Sequence, residues 1–201
     1  MQIFPLIANH LDIHPEPAAI ILIFFIYAFL GNILECFVLT WEQRRPVVNR
    51  GFVRHLPFCI IYGFGALLGY ALLQPVAHNF ILLFLVGAVA ATILEYCVAR
   101  LQLRFFGDFW WDYSKKRFNY QGILCLESTL GWGIVAIVVL RFLHGALARL
   151  LHGIPSPLTR ALAIGLVAAY LVDFAFSARA AYLSRLDAVP EGDFIPEEDS
   201  L

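Results

Sequence analysis

Four carboxylic acids lie inside long apolar runs of this 201-residue chain. Glu35 sits in GNILECFV (31–38), Glu95 in ATILEYCV (91–98), Glu127 in LCLEST (124–129) and Asp173 in YLVDFAF (170–176). An acid at the centre of a membrane-spanning helix costs about 2.5–3.5 kcal/mol to insert. Something must offset that cost: a proton, mutual hydrogen bonds, paired arginines or a water-filled vestibule. Carboxylates held in this way are suited to binding a cation, a proton or a polar solute. Asn32, Asn49 and Asn119 can supply amide donors, and Arg50, Arg54 and Arg117 are the nearest basic partners in sequence. Acids near an interface could also do general acid–base work. No nucleophile–base pair and no HExxH ligand set accompanies them, so an enzyme is not the expected class. No cofactor is implied.

The first two acids share a context. AFLGNILECFV (28–38) aligns with AVAATILEYCV (88–98) at an offset of 60, with identical Ala, Ile, Leu, Glu and Val. On a helix, positions three, four and seven before each acid share its face. These are Asn32, Gly31 and Ala28 for Glu35, and Thr92, Ala91 and Ala88 for Glu95. All six are small or polar, as at close helix contacts in membranes. Both acids are therefore expected to point into the protein. The segments that follow, NRGFVRHLPFCIIYGFG (49–65) and NYQGILCLESTLGWG (119–133), each run Asn, Gly, Cys, then aromatic–Gly. Two helical hairpins related by an axis along the membrane normal would account for this.

The elements that must position the acids follow from composition. Apolar residues make up 61% of the chain and charged residues 14%, with a mean hydropathy of +0.76. A water-soluble fold of this size could not hide that surface, so the expected solvent is lipid. The net charge of −1 argues against a nucleic-acid partner. Five stretches approach the ~20 residues that a bilayer core requires: 18–40, 57–73, 79–99, 122–143 and 161–182. The expected fold is an all-α membrane protein. Helices 1–2 and 3–4 form the repeated hairpins, and helix 5 stands apart. The first run is read as a retained helix, because no Lys or Arg precedes Arg44. Arg44, Arg45, Arg50, Arg54, Arg100, Arg104, Lys115, Lys116, Arg117, Arg179 and Arg185 fall on one side. That bias places the N-terminus outside and the C-terminus in the cytoplasm. All four acids then lie roughly 8–9 Å inside the cytoplasmic edge, at ~1.5 Å per residue.

Other segments carry less. Residues 1–185 read as one helical bundle, and 186–201 as an acidic, disordered tail. HGALARLLHGIPSP (144–157) reads as a short interfacial helix broken by Pro155 and Pro157. Five of the six histidines and all four cysteines are scattered without a strong ligand signature, which leaves any metal unknown. Gly63, Gly65 and Gly69 suggest close packing of helix 2, in a compact bundle or a homo-oligomer.

The loop FFGDFWWDYSKKRFNYQG (105–122) carries an aromatic cluster beside a basic one. Trp110, Trp111 and Tyr113 would sit in the headgroup belt and Asp112 would cap or pair locally; lining a vestibule is the alternative. At WWDYS, FN-x-x-G-x-x-C-L and WG, with NRGF and PFCIIYGFGALLGY, the sequence resembles the bacterial integral membrane proteins described as "putative ABC-transporter type IV", or CmpB-like. The motifs span about residues 20–140. The resemblance implies a small multi-helix permease with no assigned substrate. It implies signature positions at Glu35, Asn49, Arg50, Gly51, Tyr62, Gly63, Glu95, Trp111, Asp112, Tyr113, Ser114, Asn119, Gly122, Cys125 and Gly133. Ile123 departs from the family pattern, where a basic residue often follows the glycine. No G-x-x-x-x-G-K-[ST] loop occurs, so ATP-driven transport would need a separate ATPase subunit.

The expected function is thus a permease component of a multi-pass protein of the cell (inner) membrane. Its ligand-binding set is Glu35, Glu95, Glu127, Asp173, Asn32, Asn49, Arg50, Asn119, Asp112 and Tyr62. The alternative is a membrane scaffold or assembly factor whose buried acids hold helices together.

Overall fold

In hydrocarbon each backbone amide must find its partner within its own segment, and a helix does this at every residue. The computed structural model describes residues 17–48, 52–107, 109 and 111–187, and it is helical nearly throughout. Helix α1 spans Pro17–Gln43. Helix α2 spans Ile60–Leu73 and ends in a 3-10 turn, Gln74–Val76. Helix α3 spans Phe80–Phe106. A small antiparallel hairpin follows, β1 (Asn119–Tyr120) against β2 (Leu124–Cys125). Helix α4 (Leu126–Ile137) runs through a π-helical stretch, Val138–Leu143, into α5 (His144–His152). Helix α6 spans Ser156–Asp187.

Among the described residues, four helical runs are long and apolar enough to cross a membrane: Pro17–Trp41, Phe80–Phe105, Leu126–His152 and Ser156–Ala180. The apolar helix Ile60–Val76 is shorter. Large side chains are turned outward, with Phe37 69%, Ile81 72% and Ile164 70% exposed. Such a surface is stable only against lipid tails. The chain is therefore an all-α, multi-pass membrane protein.

Local chemistry fixes the helix ends. The Asn79 side chain accepts from the Ile81 and Leu82 amides at 3.0 and 3.1 Å and starts α3. Gly107, at φ 74°, ends it in the left-handed conformation with its amide bonded to the Leu103 carbonyl. Cys59 and Cys125 precede α2 and α4 as N-caps.

Neighbours in sequence pack as pairs, α1 with α2 and α3 with α4, while α6 lies against α1. Small residues make these contacts close. A Cβ at Gly63 would meet the Phe24 ring at 2.7 Å and its carbonyl at 2.8 Å, and one at Gly133 would meet the Phe84 ring at 2.6 Å. Ala18, Ala19, Leu22, Ile23 and Tyr27 of α1 join Tyr70 of α2, Leu147 and Leu151 of α5 and Ala163 of α6 in the main core cluster.

Several expected boundaries move. The helix expected over 122–143 begins at Leu126, because residues 119–125 fold as the β-hairpin, with Gln121 and Gly122 at φ 56° and 69°. Residues 144–152 are not a separate interfacial helix. They prolong the α4 rod, with His144, Leu147, Ala148 and Leu151 buried, and the break comes at Gly153–Pro155. The last helix starts earlier and ends later than 161–182. Pro57 precedes α2 and does not enter its first turn. Gly65 and Gly69 do not mediate close helix contact, since a Cβ there would meet nothing nearer than 3.6 and 4.0 Å. Asn49, Arg50, Gly51, Trp110 and the tail from 188 onward lie outside the described residues.

Candidate functional site

Glu35 lies on α1 and Glu95 on α3. Each meets an aromatic donor from the partner helix of its own pair. Tyr62 Oη donates to Glu35 Oε1 at 2.6 Å. Trp132 Nε1 donates to Glu95 Oε2 at 3.2 Å. The Tyr62 and Trp132 rings lie against each other, 5.6 Å between centroids at 45°. A seam of side-chain contacts thus runs from Glu35 through the Tyr62 and Trp132 rings to Glu95.

Glu95 is buried, with 6% exposure, and takes further hydrogen bonds. Ser128 Oγ donates to Oε1 or Oε2 at 3.1 and 3.2 Å. Tyr113 Oη donates to Oε1 at 3.2 Å. Glu35 is half-buried, and among the described residues it takes one hydrogen bond, through Oε1. No lysine or arginine among the described residues forms an ion pair with either acid. Gly31, one turn before Glu35, leaves the room that the Tyr62 ring occupies. Asn32 on the same turn is buried at 3%.

The loop that delivers Tyr113 is built by its own side chains. Asp112 Oδ1 accepts from the Ser114 amide at 2.8 Å and Oδ2 from the Ser114 hydroxyl at 3.0 Å. Those two bonds hold the Asp112 carboxyl below the usual carboxylate range. Asn119 donates to the Lys116 and Ser114 carbonyls and accepts from the Gly122 amide at 3.1 Å. Trp111 Nε1 donates to the Ile123 carbonyl at 2.7 Å. The loop is therefore pinned to the β-hairpin, and Trp111 is spent on that task. Burial pushes the Tyr113 phenol well above its ordinary range, and the charges of Glu95 and Glu35 add to the effect. It remains a hydrogen-bond donor.

The other two acids have surroundings of their own. Asp173 sits where α6 meets the segment before α2. Its Oδ2 accepts from the His55 and Leu56 amides at 3.0 and 2.7 Å, and its Oδ1 from His55 Nδ1 at 2.8 Å. The reason is the placement of α6, which packs on α1 and carries Asp173 to residues 54–56. Glu127 is exposed in the first turn of α4. Asp112 and Asn119 are committed to loop structure. Arg117 lies over the Phe118 ring at 5.4 Å, and the Arg54 amide donates to Ser177 Oγ. Three residues absent from the expected ligand set, Tyr113, Ser128 and Trp132, supply most of the contacts to Glu95. The aromatic–Gly echo at 62–63 and 132–133 was the sequence signal for Trp132.

A cavity of about 420 Å³ adjoins this seam. Glu95, Tyr62 and Trp132 line one end, and Tyr27 and Leu143 are among the residues along its length. Nearly all the remaining lining is aliphatic. Among the described residues no group of three His, Cys, Asp or Glu side chains could hold a metal ion.

Together these features define a helical membrane protein with a paired-carboxylate seam beside an apolar cavity. The family described as "Putative ABC-transporter type IV" matches residues 22–178, and the chain belongs to that family. No curated protein and no solved structure matches it.

Proposed function

We propose that this chain is the membrane-embedded component of a transporter in which Glu35 and Glu95 together hold a cation, a proton or a cationic solute. The supporting observation is the seam itself: two acids deep in apolar helices, each held by an aromatic donor, with no basic partner among the described residues. Carboxylates so placed are costly for structure alone and mark solute or proton paths. The family description supports a transport role, which would draw on a separate ATPase subunit. A homo-oligomer belongs to the same proposal and is read by the mass of the purified particle. Asp173, Glu127 and Asn32 complete the proposed ligand set, together with Asn49 and Arg50, which lie outside the described residues.

Two finer readings accompany this. The hairpins are repeats: Phe24–Gly63 and Phe84–Gly133 are equivalent contacts, as are Glu35–Tyr62 and Glu95–Trp132. The charge bias supports a cytoplasmic location for the seam and an inner-membrane location for the protein.

The test is Glu35→Gln with Glu95→Gln in a whole-cell or proteoliposome flux assay. Flux should be abolished while expression and monodispersity persist. Undiminished transport by the double variant would end the proposal. A structural role is the second reading, favoured by the bonding of both Glu95 oxygens to the protein's own donors. In that case the same variants lower thermal stability and no ligand binds the purified protein.

A further inference from the structure

The cavity beside the seam is wrong for a hydrophilic solute. Its walls are contributed by Leu30, Leu34, Leu68, Leu72, Ala91 and Leu94, among other aliphatic residues. Its volume, about 420 Å³, lies within the range of organic-ligand pockets, about 300–1,000 Å³. At about 30 Å³ for a water-sized group it holds roughly fourteen such groups. Along α2 the lining runs from Ile61 to Leu73 and along α4 and the π stretch from Trp132 to Leu143. At about 1.5 Å per residue each is a path of about 17 Å. Leu68 and Leu72 on one helix and Ile134 and Val138 on another line it while remaining 47, 56, 58 and 46% exposed. The cavity therefore has a lipid-facing rim between α2 and α4.

The polar end has its own chemistry. Glu95 lines the cavity directly and Glu35 stands behind Tyr62. The Tyr62 and Trp132 rings form a corner beside them, and both line the cavity. A carboxylate flanked by aromatic faces attracts a weakly hydrated organic cation by charge and by the ring quadrupole. It offers nothing to an anion.

We propose that the cavity is a binding site for a lipophilic organic cation, whose charge rests at the Glu95–Tyr62–Trp132 corner and whose apolar body fills the aliphatic length. This rests on the carboxylate pair being the ligand-binding centre and names the class of ligand. Entry is lateral, from the bilayer, past Leu68, Leu72, Ile134 and Val138.

The test uses two single-chain probes of nearly equal length and opposite charge, decyltrimethylammonium and decyl sulfate, with full-length protein in lipid nanodiscs. Equilibrium binding should be saturable for decyltrimethylammonium and at least about tenfold weaker for decyl sulfate, a difference of about 1.4 kcal/mol. Glu95→Gln should remove that preference. Gly65→Phe should block the cation, because a Cβ at 65 meets nothing closer than 3.6 Å and a ring there enters the cavity. Equal binding of the two ions, or no saturable binding of either by monodisperse wild-type protein, would overturn the proposal. In parallel, the fluorescence of Trp132, isolated by difference from Trp132→Phe, is titrated with protons and sodium. A response that depends on Glu95, without cation-selective probe binding, would retain the carboxylate centre and discard the lipophilic class. A second copy of the chain filling the cavity would appear as a dimer that excludes the probe, and would equally overturn it.

Discussion

Gly133 is the position at which a single methyl group should be most informative. A Cβ there would lie 2.6 Å from the Phe84 ring. Carbon–carbon contacts are most favourable at about 3.5–4.0 Å, so α3 and α4 must part by about 1 Å or the ring must swing. Overpacking of this kind costs about 1–3 kcal/mol. Replacing glycine by alanine in a helix returns about 0.8–1 kcal/mol, leaving a net loss of about 0–2 kcal/mol for Gly133→Ala. The displacement also reaches the site. Trp132 is the adjacent residue, and its bond to Glu95 is already 3.2 Å long. Phe84→Leu removes the ring edge and should rescue Gly133→Ala. The equivalent pair behaves differently. A Cβ at Gly63 meets the Phe24 carbonyl at 2.8 Å as well as the ring. A side-chain change cannot remove a carbonyl, so Phe24→Leu should fail to rescue Gly63→Ala. Thermal unfolding in detergent across both double-mutant cycles measures this, with a coupling of about 1–3 kcal/mol expected for 84/133. Absence of coupling between 84 and 133, or equal rescue in both cycles, refutes the reasoning.

Two further outcomes follow from the same geometry. Asp173→Ala removes the acceptor of the two backbone amides and of the imidazole; the amides of His55 and Leu56 should exchange hydrogen faster, with about 1–3 kcal/mol of stability lost. For Asp112 the folded carboxyl is held below the ordinary aspartate range, so its hold on the loop is present above about pH 3.9 and is lost only as the pH falls through that lower folded value. Protection of the Ser114 amide should persist in mild acid and vanish at all pH values in Asp112→Ala. An early loss of protection near neutral pH would contradict it.

Much of the fold was legible because hydrocarbon imposes one rule, that apolar runs of sufficient length become helices. The inward direction of Glu35 and Glu95 was legible for the same reason, since small residues three, four and seven positions before each acid mark a contact face. The fate of Asp173 was not, because it depends on which side of α1 the last helix packs, and periodicity does not encode that. The β-hairpin at 119–125 was hidden within an apolar run, ILCL, that reads equally well as the start of a helix. The positive φ at Gln121 and Gly122 decided it. The loop motif WWDYS suits a headgroup anchor by composition. Trp111 and Tyr113 have polar tips, however, and the β-hairpin supplies the acceptor for one and Glu95 of α3 for the other.

The π-helical stretch between α4 and α5 sets the angular phase of everything after it. The His144 amide reaches back five residues to the Val139 carbonyl, so this part of the rod accommodates one more residue than an ordinary helical turn. Rewinding it as α-helix with the same residues would rotate the remainder by about 100°. His144 would then swing away from the Tyr27 hydroxyl and the Tyr70 ring, now 3.1 Å and 3.9 Å away, and Leu147 and Leu151 would turn out toward lipid. Deleting one residue from 138–143 should be tolerated far better than deleting one from 126–137, because only the former site has slack to give up.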